Sequence, residues 1–176
     1  INYRMSEFVT KKMSGLIGYA TPPPLVNFCG YNVEALAEWA WNVSGRTPHE
    51  FAVAYAVRKG HSDPEKFALW ADAMGKLQFD LEGSEWPSCE GKFFPGYVAD
   101  LLQKGTLPSL GTAYAGARGP WGEFKTAQQL DDDVRLAARS LALAKEMGID
   151  EYYYQSLYAD GLIKSLRALY KLRSLV

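Results

Sequence analysis

Apolar residues recur at intervals of three and four along most of this chain, which is the signature of amphipathic helices. Residues Tyr3 to Lys12 have this character. A helix follows over about Val33 to Val43, with Val33, Leu36, Ala37, Ala40 and Trp41 as its apolar stripe. Asn32 is placed to cap it, Glu34 to complement its dipole and Gly45 to stop it. Thr47-Pro48-His49-Glu50 reads as a capping box: Thr accepts from an orphan amide, Pro suits the first helical position and Glu bonds back. That helix carries Phe51, Ala54, Tyr55 and Val57 and ends at Gly60. Asp63-Pro64 opens another in the same way, with Phe67, Trp70, Ala71, Met74, Gln78 and Leu81 inward and Gly83 as the stop. Ser84 to Phe94 is irregular, Gly96 to Lys104 suits a short helix, and Gly105 to Gly122 is a glycine-rich connection. Trp121 and Tyr114 make that connection a lid or a packing loop rather than a flexible linker.

The last third has the longest pattern. Val134, Ala137, Ala138, Leu141, Ala144 and Met147 form one face, closed by Gly148. Asp150 is placed to cap the next helix, whose expected face is Tyr154, Leu157 or Tyr158, Gly161, Leu162, Ser165, Leu166, Leu169 and Leu172. The short Gly148-Ile149-Asp150 link makes the two helices antiparallel neighbours, each roughly 35 Å long. The expected fold is therefore mainly α: a helical bundle with a long C-terminal antiparallel hairpin.

One segment breaks the helical pattern. Ser14 to Ala20 is a short apolar run bounded by glycine and followed by Pro22-Pro23-Pro24. A helix cannot run into three prolines, and the length fits a buried strand over Leu16 to Tyr19. A single strand leaves its backbone groups without partners, so its sheet is expected to lie in sequence outside this chain.

Composition narrows the chemistry. A length of 176 residues with 48% apolar content can bury a core without staples. The net charge of −1 comes with scattered basic residues, which excludes a phosphate-neutralising surface for nucleic acid. Lys164 to Arg173, the densest basic set, reads as a solvated helix face. No apolar run approaches a membrane span. With two cysteines, Cys29 and Cys89, a disulfide scaffold is excluded and one bridge is left open. The aromatic content of 14% points to core packing first, and to a sugar-contacting or docking surface for any ring left exposed.

Few residues have catalytic promise. Asp80, Glu82, Glu85 and Glu90 surround one helix end, and paired carboxylates can do acid and base work on a glycosidic bond. Asp80 and Glu82 stand two apart, however, and diverge on a helix. Asp131, Asp132 and Asp133 read as dipole-complementing residues in the first turns of a helix. His49 and His61 have no Ser or Cys at triad spacing, no Cys/His set has metal-ligand spacing, and the glycines form no phosphate loop. No cofactor, metal site or catalytic residue is expected. Asn42-Val43-Ser44 fits the glycosylation acceptor pattern.

Glu38-Trp39-Ala40-Trp41-Asn42, followed by Gly45-Arg46-Thr47-Pro48-His49-Glu50-Phe51-Ala52, resembles the region just after the catalytic barrel in bacterial glycoside hydrolases near families 20 and 84, the β-N-acetylhexosaminidase-like enzymes. The resemblance implies that residues 1–30 are the remnant of a preceding domain, a last barrel helix, strand and loop, with the loop over Thr21 to Gly30. Residues 31–176 are then a C-terminal α-helical bundle domain. The carboxylates of such enzymes lie on earlier barrel strands, so no catalytic residue is carried over. What carries over is a supporting role: Tyr19, Asn27 and Trp41 would line or brace a sugar site, although packing is the first expectation for Trp41. The implied partners are the N-terminal catalytic domain of the same protein and a carbohydrate, and the implied compartment is secreted or periplasmic. A stand-alone helical interaction or homo-oligomerisation domain is the alternative. A small enzyme built on Asp80 to Glu90 beside Trp86 is a further one.

Overall fold

The computed structural model describes residues 1–15, 26–82, 100–107, 109–111, 121 and 124–175, and their side chains except at 26–29 and 82. The fold is mainly α, a helical bundle, and among the described residues there is no strand. The strand expected over Leu16 to Tyr19 lies outside the described residues, as do Tyr114 and Cys89. The helices are α1 (Asn2–Thr10), α2 (Val26–Trp41), α3 (Pro48–Lys59), α4 (Pro64–Glu82), α5 (Ala127–Met147) and α6 (Asp150–Arg173), with a helical stretch at residues 100–103 besides. The chain divides into two compact units, Ile1–Asp72 and Ala73–Val176, and the boundary falls within α4.

Local grammar explains the helix ends. In α3 the Thr47 hydroxyl accepts from the Glu50 amide at 3.2 Å while the Glu50 carboxylate accepts from the Thr47 amide at 2.9 Å, so two orphan donors are satisfied reciprocally. The Asp63 carboxylate accepts from the Lys66 amide at 2.9 Å at the start of α4. Gly60 and Gly148 end α3 and α5 in the left-handed region, φ 74° and 67°, where a side chain would be strained. A second capping box, Thr126 with Gln129, starts α5 earlier than its apolar pattern indicates. Ile149, not Asp150, is the N-cap of α6; Asp150 is already helical and acts only through its charge.

In the first unit the core is aromatic. Phe51 and Phe67 are fully buried, and the Tyr31 ring lies 5.1 to 5.6 Å from Phe51, Tyr55 and Phe67. Burial, and then the Asp72 carboxylate, push the Tyr31 phenol upward, so it is neutral there. Helix α2 begins at Val26, so the loop expected over Thr21 to Gly30 is helical from Val26 on, and the boundary drawn between residues 30 and 31 falls inside α2. The earlier start puts Glu34 in the helix interior, where it pairs with Arg58 at 3.0 Å and Lys59 at 2.8 Å on α3.

In the second unit α5 and α6 form the expected antiparallel hairpin. Asp131 pairs with Arg167 at one level and Ser140 with Ser156 at another. The buried stripe of α5 is Leu130, Asp133, Ala137, Ser140 and Ala144, rotated from the expected one; Val134 and Leu141 are half-buried and Ala138 is exposed. On α6 the expected face holds at Leu162, Leu166 and Leu169 but fails at Tyr154, Leu157, Tyr158, Gly161, Ser165 and Leu172, which are exposed. The buried residues of the hairpin include small ones, Ala137, Ser140 and Ala144 on α5 and Ser156 and Ala159 on α6, and the Ser140 and Ser156 hydroxyls meet at 3.0 Å. Leu107 and Trp121 in the glycine-rich connection are buried, and Arg173 donates to the Leu107 carbonyl at 3.0 Å. The described part of that segment is thus a packing loop.

Candidate functional site

Helix α2 has two apolar faces. Tyr31, Ala35 and Trp39 turn toward the core, whereas Val33, Ala37, Ala40 and Trp41 are exposed. The stripe that gives α2 its clearest periodicity is therefore not the one that builds the core. It lines, with Met5, Phe8 and Val9 of α1, an open groove of about 680 Å³. Trp41 stands at the end of α2 and is 93% exposed, which corrects its expected packing role; Trp39, two residues earlier, is buried instead.

The corner after Trp41 is tightly specified. The Trp39 indole donates to the Arg46 carbonyl at 2.9 Å, and the Arg46 guanidinium pairs with Glu38 at 2.8 Å. The Asn42 carboxamide oxygen accepts from the Ser44 amide at 3.2 Å, and a Cβ at Gly45 would come within 3.2 Å of the Asn42 carbonyl oxygen. A side chain at Gly45 would therefore press on Asn42, and the Gly45 amide donates to the Asn42 carbonyl at 3.1 Å at the end of α2. The Trp39 and Phe51 rings, 5.2 Å apart, tie the corner to α3.

Of the other residues with an expected sugar-facing role, Tyr19 lies outside the described residues. Asn27 is in the first turn of α2 and its side chain is not described. Fourteen residues of helix separate it from Trp41, about 21 Å along the axis at 1.5 Å per residue, so α2 does not bring the two to one point. The Cys29 side chain is also not described, which leaves a bridge to Cys89 unaddressed.

Two polar clusters were not visible as such in the sequence. His49 bridges α3 and α4, with Nδ1 2.8 Å from Asp72 and Nε2 3.0 Å from Glu65. The hydrogen bond with Asp72, and then that with Glu65, hold the imidazolium and raise the pKa above 6.5. His61 stacks on Phe67 at 5.0 Å and burial lowers its pKa. In the second unit Asp133 is fully buried, accepts from Lys76 Nζ at 2.9 Å, and keeps Oδ2 without a hydrogen-bond partner. Burial pushes its carboxyl up to about 6; the Lys76 hydrogen bond opposes this and the nearby negative charge of Asp80 adds to it. Asp80 is itself held by Lys76 at 2.5 Å. Asp131 is engaged by Arg167 at 2.5 and 3.1 Å, and because α5 begins at Ala127 its first turn holds no acidic residue, which corrects the dipole role expected of Asp131, Asp132 and Asp133. Asp133 could have been suspected from sequence, since it stands between Leu130 and Ala137 at core spacing; its partner, 57 residues away, could not.

Among the described residues the carboxylates of these clusters are engaged by His49 or by Lys76. Asp80 is committed to Lys76, and Glu85, Trp86 and Glu90 lie outside the described residues. Among the described residues no His, Cys, Asp or Glu group could hold a metal, and no helix is long and apolar enough to cross a membrane. No family model matches the sequence, and no curated protein or solved structure matches it either.

Proposed function

We propose that this chain is a non-catalytic helical domain of a glycoside hydrolase, lying C-terminal to the catalytic barrel, with the α1–α2 groove as its docking surface and Trp41 at the rim of the sugar site. The single observation that carries the docking part is the exposed stripe Val33, Ala37, Ala40 and Trp41. An apolar helix face open to water marks a surface that another body covers. The residues behind the hydrolase resemblance support its second half. Glu38, Trp39 and Arg46 are joined by hydrogen bonds, Thr47 and Glu50 cap the next helix, and the corner they make directly follows the exposed Trp41, whose ring offers a sugar an apolar face and a donor edge. The sugar-facing roles that the resemblance implies for Tyr19 and Asn27 remain part of the proposal; Tyr19 and the Asn27 side chain lie outside the described residues.

The reading frame that encodes the chain provides the first test: it should contain, in frame and upstream, the alternating strands and helices of a barrel. Co-expressed with that upstream part, the 176-residue chain should bind it, and Val33→Asp should abolish binding. Alone it should not hydrolyse an aryl N-acetyl-β-glucosaminide. An upstream region without a barrel, or turnover by the isolated chain, refutes the proposal. A stand-alone interaction domain shares the groove but predicts no upstream barrel.

A further inference from the structure

Helix α6 carries a second stripe besides the one packed on α5. Tyr154, Tyr158, Gly161, Ser165, Ala168 and Leu172 alternate at spacings of four and three, the 3.5-residue repeat of a helix-pairing seam, and all are exposed. Exposure reaches 62% at Tyr154 and 59% at Tyr158. Gly161 weakens an exposed helix interior relative to alanine, yet nothing among the described residues requires it: a Cβ there would meet none of their atoms within 4 Å. A partner backbone passing close to the helix would require it.

The stripe is graded in size and in charge. Its first half is bulky, with two tyrosines, and its second half small, with Ser165 and Ala168. The first turn of α6 is acidic, Asp150 and Glu151, and the last basic, Lys171 and Arg173. We propose that this face binds the same face of a second copy of the chain, antiparallel, with the two helices crossing at Gly161. Tyr154 of each copy then lies over Ala168 of the other, Tyr158 over Ser165, and Glu151 beside Lys171. The overlap from Asp150 to Leu172 runs about 33 Å, and the helix dipoles oppose. A parallel pair would place tyrosine on tyrosine and like charge on like charge. The two-fold arrangement is closed, so it stops at the dimer. It involves only the second unit and does not depend on the hydrolase reading.

The test is sedimentation of the whole chain from micromolar to a few hundred micromolar. A monomer–dimer equilibrium is expected. Gly161→Trp should leave only monomer, with far-UV circular dichroism no lower than in the parent, since the position is open among the described residues. Glu151→Lys and Lys171→Glu should each weaken the dimer about ten-fold, and the double reversal should restore it. A chain that stays monomeric throughout the range overturns the proposal. So does a dimer indifferent to Gly161→Trp, and so does a double reversal that fails to recover.

Discussion

Asp133→Asn isolates the energetic consequence of burying a carboxylate on the α5 seam. Asp133 is fully buried, and its carboxyl is pushed from 3.8 up to about 6 by burial that the single Lys76 contact does not offset. The folded chain therefore holds a proton more tightly than the unfolded chain. Between pH 3.8 and about 6 it binds more protons, so this group's contribution to stability is intact below pH 3.8 and declines as pH rises, with the full loss reached above about 6. Raising a carboxyl by this much disfavours the ionised form by roughly 3 kcal/mol. Asparagine has the same shape, can still accept from Lys76, and does not ionise. Its amide donors, set where Oδ2 now has no partner, cost about 1–3 kcal/mol at every pH. The signature is thus a slope: relative to the parent, Asp133→Asn should gain about 3 kcal/mol between pH 3.5 and 7.5. Urea titrations followed by circular dichroism at four pH values measure it. A difference flat in pH, or one in which the variant loses stability relative to the parent as pH rises, would mean that Lys76 outweighs desolvation and that the reasoning is wrong.

Trp39→Ala and Trp41→Ala should differ sharply despite standing two residues apart. The first empties a core site and removes the indole bond to Arg46, a loss of about 3–5 kcal/mol, whereas the second should stay within about 0.5 kcal/mol in the isolated chain. Denaturant midpoints compare them directly. Ser140→Leu adds bulk at a close helix approach and should destabilise by about 1–3 kcal/mol, against almost nothing for Ala138→Leu on the exposed side. His49→Ala removes a partner of Asp72 and Glu65. Because the pKa of His49 is raised on folding, the loss should be full below pH 6.5 and fade as pH climbs through the folded value. With all three side chains more than a third exposed, solvent screening keeps it under about 1 kcal/mol, which thermal melts at pH 6 and 9 can detect.

What the sequence by itself determined is local. Thr47 and Glu50, Asp63, Gly60 and Gly148 set helix ends through contacts that span a few residues, so the α3 and α4 starts and the α5–α6 turn were legible at once. The Thr126–Gln129 box carries the same signal and was legible too, but the apolar pattern alone starts the helix too late. Only the tertiary structure decided which side of each helix is inside. On α2 two apolar faces compete, and the core took the one holding Tyr31, Ala35 and Trp39 because those rings interlock with Phe51 and Phe67, leaving Trp41 outside. On α5 the buried side holds Ala137, Ser140 and Ala144 and, with them, Asp133, which meets a lysine on α4. Periodicity reports that a face is apolar; which face is buried depends on the shape and charge of what comes to meet it, and that partner is distant in sequence.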